Sequence, residues 1–364
     1  MHDFILRELH NNDLKAELTN IGFDNVYVEK AIDKFEYKNY KIYDLTLPQA
    51  NILKQTALSV GADCATHRET ITAKIDKTDV ILGGSLSQLE KIAHKLKSQP
   101  FGLKQLGENL LNINTKNQNT KIVGVLNLTK DSFSDGYDDF EAALDHLNEI
   151  EGADIIELGA ESTRPGYTPV SDEEQLKKLL PMVEYLNGKC LISVDTQSSK
   201  VAEECLKAGA NIINDVSGFD KDSNMPEIIA KYDAKIVIQH SQDVSENEKT
   251  FIDEIYMTLR DKINKAISSG IKKENIIIDV GIGFGKTRKQ NFEILKRIEE
   301  FYSLGCPVMV GVSRKSLLNM QDKDNIIKDI YTLTLNTLLI DKKVDYIRVH
   351  NVKLHRDLIS MFNI

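Results

Sequence analysis

The chain has no run of 18 apolar residues, so no transmembrane helix is expected. Its opening residues, Met1-His2-Asp3-Phe4-Ile5-Leu6, show no basic flank before a long apolar stretch, and a secretory signal is not expected. Cysteine is scarce: Cys64, Cys190, Cys205 and Cys306 form no C-x-x-C pair and no Cys/His cluster at zinc spacing, which argues for reduced thiols in a cytoplasmic protein. No G-x-S-x-G occurs, so the hydrolase elbow is excluded. Positive charge is in deficit, with 46 Lys+Arg against 55 Asp+Glu and a net charge of −9. Nucleic-acid binding without a strong local basic patch is therefore excluded.

What is present is an ordinary soluble composition, 41% hydrophobic and 28% charged, far from a disordered one. Residues 1–115 hold 14 Lys+Arg and 15 Asp+Glu, and the remainder holds 32 and 40. Any anion must then be met by a few well-placed cations rather than by a general field.

From about residue 121 a rhythm sets in. Eight apolar runs rich in Ile and Val recur at Lys121–Leu126, Asp154–Leu158, Cys190–Val194, Asn211–Asn214, Lys235–Ile238, Asn275–Ile278, Pro307–Gly311 and Asp345–Val349. They read as strands covered on both faces. Segments of helical period lie between them, Asn291–Tyr302 among them, and several stop at glycine (Gly152, Gly209, Gly270, Gly305). Eight β-α units in about 245 residues is the size of a (β/α)8 TIM barrel. An open doubly wound sheet is the structural rival. Residues 1–115 lack this rhythm. Helices at Gln49–Gly61 and Ser87–Ser98 with short strands at Thr70–Ile75 and Asp79–Leu82 predict a small additional α+β domain, with the polar Asn112–Thr120 segment as linker and residues 119–364 as the barrel.

In such a barrel, chemistry gathers at the C-terminal ends of the strands. Nearly every run here delivers a polar or ionisable group at that end. A single carboxylate there is as easily a helix cap; eight coordinated ends are harder to explain by capping. Asp195, Asn214 and Asp279 suit a flat heterocycle with N–H and amino groups along one edge, because a carboxylate accepts two parallel N–H bonds with strong directionality. Arg314, Lys315, Arg348 and His350 come from the last two ends, the usual phosphate corner; their bland alternative is pairing with nearby carboxylates. The run Gly281-Ile282-Gly283-Phe284-Gly285-Lys286 imitates a nucleotide loop, but Val280 stands where a Walker A loop needs glycine, and Lys286 where the dinucleotide fingerprint needs its third. Its glycines shape a tight loop beside a ligand, with Phe284 offering an aromatic face or simply packing.

These residues resemble the dihydropteroate synthase family. The stretches 127–136 (Asn-Leu-Thr-Lys-Asp-Ser-Phe-Ser-Asp-Gly) and 161–166 (Glu-Ser-Thr-Arg-Pro-Gly) resemble its two signature loops. Ser193-Val194-Asp195-Thr196, Ile213-Asn214-Asp215, Asp279 with the 281–286 loop, Ser313-Arg314-Lys315-Ser316 and Arg348-Val349-His350 follow in family order. The resemblance implies a cytoplasmic transferase, expected as a homodimer, that joins (7,8-dihydropterin-6-yl)methyl diphosphate to 4-aminobenzoate. It implies pterin contacts from Asp195, Asn214, Asp279 and Lys315, and diphosphate contacts from Thr163, Arg348 and His350. Thr163, Arg164, Pro165, Phe284 and Ser316 fall on the aminobenzoate side, and Asn127 is the implied Mg²⁺ ligand. In the family the bond to diphosphate breaks first, in an SN1-like manner, and Asp131 and Asp135 are placed to stabilise the resulting cation. The chain departs from the family at Lys130, Ala160, Val280 and the strand end Gln239-His240-Ser241. The rival reading is a methyltetrahydrofolate-dependent methyltransferase serving a corrinoid protein. It would share the pterin positions and have no use for the 313–316 and 348/350 corner.

Overall fold

The computed structural model describes residues 7, 9, 14–112, 119–128, 137–161 (backbone alone at 137–139), 170–245, 247, 250–315 and 324–362. The chain forms two compact units, Met1–Asn114 and Thr115–Ile364.

The first unit is α+β, as expected. Strands β1 (Tyr37–Thr46), β2 (Asp63–Thr66) and β3 (Lys77–Ser85) make an antiparallel sheet in the order β1-β3-β2. The helices Leu47–Leu58 and Leu86–Leu96 bury Ala50, Leu53, Leu89 and Ile92 with Val80 and Leu82 of β3. Ser85 caps the second helix reciprocally with Gln88: Ser85 N donates to Gln88 Oε1 at 2.8 Å and Gln88 N donates to Ser85 Oγ at 3.3 Å. The strand expected at Thr70–Ile75 is not formed; residues 68–70 are a short 3₁₀ turn and 71–73 continue as turn. Its alternation had no face to bury, since Ile71 is 79% exposed, and a pleated pattern without a buried side has little to hold it. The strand expected at 79–82 is the middle of β3.

The second unit is a closed, all-parallel eight-stranded barrel: β4 (Lys121–Asn127), β5 (Ile155–Gly159), β6 (Leu191–Asp195), β7 (Ile212–Asp215), β8 (Lys235–Gln239), β9 (Ile276–Asp279), β10 (Val308–Val310) and β11 (Tyr346–Val349). They pair in chain order, and β11 closes on β4. Helices stand between them, so this is the (β/α)8 architecture rather than an open sheet. Two-residue periodicity sorts the side chains. One parity (Ile122, Leu126, Leu158, Ile192, Val194, Ile213, Ile236, Ile238, Ile278, Val308, Val310, Ile347, Val349) packs outward into the main core with the helices. The other parity fills the lumen, with Val123, Ile155, Ile212, Val237, Ile277, Met309 and Tyr346 in one apolar cluster. Two residues further along each of several strands, the same inward parity turns polar. That switch creates the mouth.

The helix expected at Asn291–Tyr302 is divided into an α-helix, Arg288–Lys296, and a 3₁₀ helix, Ile298–Leu304. Ile298, Phe301 and Leu304 are its buried residues, and a spacing of three matches three residues per turn.

Candidate active site

The barrel register aligns the site. Asn127 sits opposite Gly159, Gly159 opposite Asp195, and Asp195 opposite Asn214; across the mouth Gln239 is opposite Asp279. Asn214 and Asp279 are fully buried. Asp195 Oδ1 and both amide atoms of Asn214 are buried without a hydrogen-bond partner. Buried polar atoms are nearly always paired, so this cluster has the chemistry of a site completed by a ligand edge carrying both donors and an acceptor. Burial raises the Asp195 pKa well above the usual carboxylate range, and the neighbouring Glu157 pushes it the same way.

Asp279 is already engaged on both oxygens. Oδ1 accepts from Gly281 N at 2.8 Å, and Oδ2 accepts from Arg348 Nη2 at 2.8 Å. Arg348 is buried in the lumen, where Nη1 also donates to Glu157 Oε1 at 3.2 Å and Nη2 to Gln239 Oε1 at 3.3 Å. Burial works against its charge, but Glu157 and Asp279 outweigh that and raise its pKa. The guanidinium is thus the floor of the mouth, held by two carboxylates.

Lys315 follows β10. Its Nζ donates to Ile282 O at 2.6 Å and stands 4.7 Å from the Phe284 ring centroid, so Phe284 offers its face to a cation. Burial, then the Arg348 charge, lower the Lys315 pKa to about 8. His350, at the end of β11, shares a 2.8 Å hydrogen bond between Nδ1 and Ser313 Oγ. Like Arg348, Arg314 is paired with carboxylate, the alternative that the sequence left open for these cations. It takes a left-handed φ of 54° and forks onto Asp329, Nε to Oδ1 at 2.8 Å and Nη2 to Oδ2 at 2.9 Å. A cation neutralised in this bidentate way is a structural clip.

A cavity of about 260 Å³ opens beside these ends, lined by Val216, Ser217, Asp220, Ser241, Gln242 and Phe284 among others. Asn127 is exposed at the end of β4, its Oδ1 close over Gly159. Among the described residues no three His, Cys, Asp or Glu cluster to hold a metal. Asp131, Asp135, Thr163, Arg164, Pro165 and Ser316 lie outside the described residues.

Sequence reading passed over Glu157 and Asp329, and it named Gln239 and Lys286 without giving either a role. Glu157 carried a usable signal: it is a lone charge inside the apolar Ile155–Leu158 run, on the inward parity. The strand-end departure at 239–241 also finds its reason. Gln239 accepts from Arg348 and donates from Nε2 to Ser241 Oγ at 2.9 Å, Ser241 Oγ donates to Val216 O, and His240 meets Lys286, so each polar group of the triplet has a partner inside the barrel.

Residues 123–350 match the family described as pterin binding enzyme. The chain is 41% identical over 245 residues to a dihydropteroate synthase of Clostridium beijerinckii, a match covering 65% of this chain and 90% of that one. This chain belongs to the dihydropteroate synthase family. A crystal structure of dihydropteroate synthase from Clostridium difficile in the presence of pteroic acid is similar to it with a TM-score of 0.64 at 39% identity, over 67% of this chain and 96% of the other. A probable bifunctional folylpolyglutamate synthase/dihydropteroate synthase of Halobacterium salinarum is 35% identical over 327 residues, covering 84% of this chain and 40% of the relative. That stretch is longer than the barrel unit, so the likeness runs into the N-terminal unit as well.

Proposed function

We propose that this chain joins (7,8-dihydropterin-6-yl)methyl diphosphate to 4-aminobenzoate, giving 7,8-dihydropteroate and diphosphate. The observation that carries this is the unpartnered buried edge of Asp195 and Asn214, set in a mouth whose other wall holds Lys315, Arg348 and His350. The edge would take the amino and ring N–H groups of a pterin. Lys315 would face its carbonyl side, and Arg348 with His350 the diphosphate.

The methylene C–O bond breaks first, and its electron pair leaves with diphosphate. The arylamine lone pair then forms the new C–N bond, and the amine proton passes to solvent. No side-chain nucleophile is needed. This chain's work is to hold the pterin, to offset the growing charge on the departing oxygens, and to present the amine. In this reading Phe284 contributes to the aminobenzoate side; the family resemblance assigns Thr163, Arg164, Pro165 and Ser316 to the same side and gives Asp131 and Asp135 the task of stabilising the cation. A Mg²⁺ ion fits Asn127 Oδ1, a hard, exposed oxygen donor, because Mg²⁺ takes few protein ligands alongside substrate phosphates. When bound, it supplies positive charge at the leaving group.

The test is an incubation with the pterin diphosphate, 4-aminobenzoate and Mg²⁺. Diphosphate release that depends on aminobenzoate is expected; its absence at saturating substrates overturns the reading. Asn127→Ala should raise the Mg²⁺ concentration needed for half-maximal rate.

We also propose a homodimer. On the helix Asn325–Asp341, Ile326, Ile330 and Leu338 are 72%, 53% and 59% exposed at i, i+4 and i+12. They fall within about a third of the helix circumference, an apolar surface that a second copy would cover. Ile330→Asp with Leu338→Asp should halve the mass seen by sedimentation. The described residues contain no helix long and apolar enough to cross a membrane, and the unpaired Cys64, Cys205 and Cys306 thiols are buried, which suits the proposed cytoplasmic location.

A further inference from the structure

Lys286 closes the loop that imitates a nucleotide-binding motif, and the reaction as derived gives it no task. Lys286 is half-buried, with its ammonium held between its own loop and the β8 end. Nζ donates to Phe284 O at 2.8 Å, to Gly281 O at 3.1 Å and to His240 O at 3.1 Å, and lies 3.0 Å from His240 Nδ1. His240 is held neutral, its pKa pushed down to about 3 by burial and then by the Lys286 charge; in the Nε2–H tautomer its Nδ1 faces the ammonium as an acceptor. The loop has no slack around this contact. Gly281 sits at φ +70°, and a Cβ there would fall 1.7 Å from His240 O.

The same loop carries two groups toward the site. Ile282 O receives Lys315 Nζ, and the Phe284 ring lies under that Nζ. One ammonium thus ties β8 to both ends of the 281–284 turn, and that turn fixes the height of Lys315 and the attitude of Phe284. The geometry points to Lys286 as a positioning residue for the synthase reaction, acting through the 281–284 turn on Lys315 and Phe284. This inference rests on the proposed function for its substrates. The clamp needs the charged form, because only an ammonium has three hydrogens to donate. Burial lowers the Lys286 pKa to about 7. Facing it are His240 at the β8 end, Asp243 in the following loop, Asp279 at the β9 end and Lys315 after β10; the two carboxylates favour its charge and Lys315 opposes it.

The test compares Lys286→Met and Lys286→Arg with the unaltered full chain. Amide exchange across residues 281–286 is read first, by mass spectrometry. It should speed up in K286M and stay near the unaltered rate in K286R. Steady-state kinetics with each substrate varied should show kcat/KM falling by about tenfold to a hundredfold in K286M, the scale of a small misplacement of reacting groups, with most of it restored in K286R. The limb near pH 7 in the unaltered profile should vanish in K286R, whose charge is permanent, leaving the Lys315 limb nearer pH 8 in both proteins. The inference is overturned by a K286M protein with unaltered exchange and kinetics. It is equally overturned by a K286R protein that restores neither readout or keeps the limb near pH 7. If the unaltered chain releases no diphosphate, the synthase reading fails by itself, and loop exchange alone decides the clamp.

Discussion

Arg348 Nη2 lies 2.8 Å from Asp279 Oδ2 in the closed part of the barrel lumen, 69 residues apart in sequence and one strand apart from being neighbours in the barrel. With Glu157 on Nη1, one cation serves two buried carboxylates. Two consequences oppose each other. The trio leaves the mouth with a net negative floor, yet the fixed guanidinium within that floor is the group that a diphosphate would approach. An anion site in an acidic protein is then a matter of which lone pairs are already taken.

Removing the guanidinium should expose that arrangement. Arg348→Met leaves Glu157 and Asp279 buried without their counter-charge, and breaking a buried pair in this way costs about 3–5 kcal/mol. Chemical denaturation should show that loss together with abolished turnover. Arg348→Met combined with Glu157→Gln should lose less than the two single changes added, because the second change removes one of the orphaned charges. Strict additivity would mean that the two side chains do not interact.

Asp195 should behave in the opposite sense. Its folded pKa is raised, so relative to an unfolded carboxylate it is a stability cost at pH above the folded value, and that cost disappears as pH falls below the ordinary carboxylate range. Asp195→Asn should therefore raise the melting temperature of the ligand-free protein at neutral pH and flatten its dependence on acid. The same change should weaken pterin binding by about a hundredfold, the scale of losing charge-assisted acceptance of paired N–H donors. Calorimetric titration with a pterin, set beside thermal melts, checks both halves; a destabilised Asn variant would show that Asp195 is held charged by contacts that favour it.

How much of this was legible beforehand follows from range. The eight strands were readable because outward residues such as Ile192, Val194, Ile236 and Ile238 keep a local alternation, and periodicity is a local property. Their polar ends were readable for the same reason: Asp195, Asn214 and Asp279 each follow an apolar run directly. Pairings were not readable. Nothing near Arg314 announces that Asp329 will take both of its nitrogens, and nothing near Arg348 announces Glu157, 191 residues away. In the N-terminal unit, β1 escaped notice because Tyr37, Lys38, Asn39, Tyr40 and Lys41 bury little, whereas Thr70–Ile75 had β-branched residues and no partner strand. Local pattern finds an element only where that element has a face to bury.

The Arg314–Asp329 clip gives a prediction of intermediate size. Asp329 also accepts from Asn351 Nδ2 at 3.2 Å, so one carboxylate joins the residue before Lys315 to the residue after His350. Arg314 is held at a positive φ that a non-glycine residue adopts only under constraint. Asp329→Ala should cost about 1–3 kcal/mol, less than the Arg348 change, because Arg314 remains 27% exposed and can rehydrate its charge. KM for the pterin diphosphate should rise more than KM for 4-aminobenzoate. An unchanged ratio of the two would detach the clip from the diphosphate corner.

Lys315 supplies a prediction in alkaline solution. Its folded pKa is lowered to about 8, against about 10.4 for an unfolded lysine. Below pH 8 both states carry the proton, and the buried charge is a full cost to the folded one. Between about pH 8 and 10.4 the unfolded chain holds more protons, so this residue's contribution makes stability rise with pH. Cys64, Cys205 and Cys306 act against it, since burial raises their thiol pKa values and the folded chain then retains protons that the unfolded chain gives up. The total slope is a sum of these opposing parts. The difference between the unaltered chain and Lys315→Met isolates one of them. Denaturation of both proteins at intervals from pH 7 to 10.5 should show Lys315→Met more stable at pH 7, with the gap narrowing steadily above pH 8. Pterin binding should respond in the reverse direction over the same interval, weakening in the unaltered chain as the ammonium is lost and staying flat in the variant. A constant gap across that interval would mean that Lys315 keeps its proton in the folded mouth, held by Asp279, Glu157 and Asp195 more firmly than burial can dislodge it.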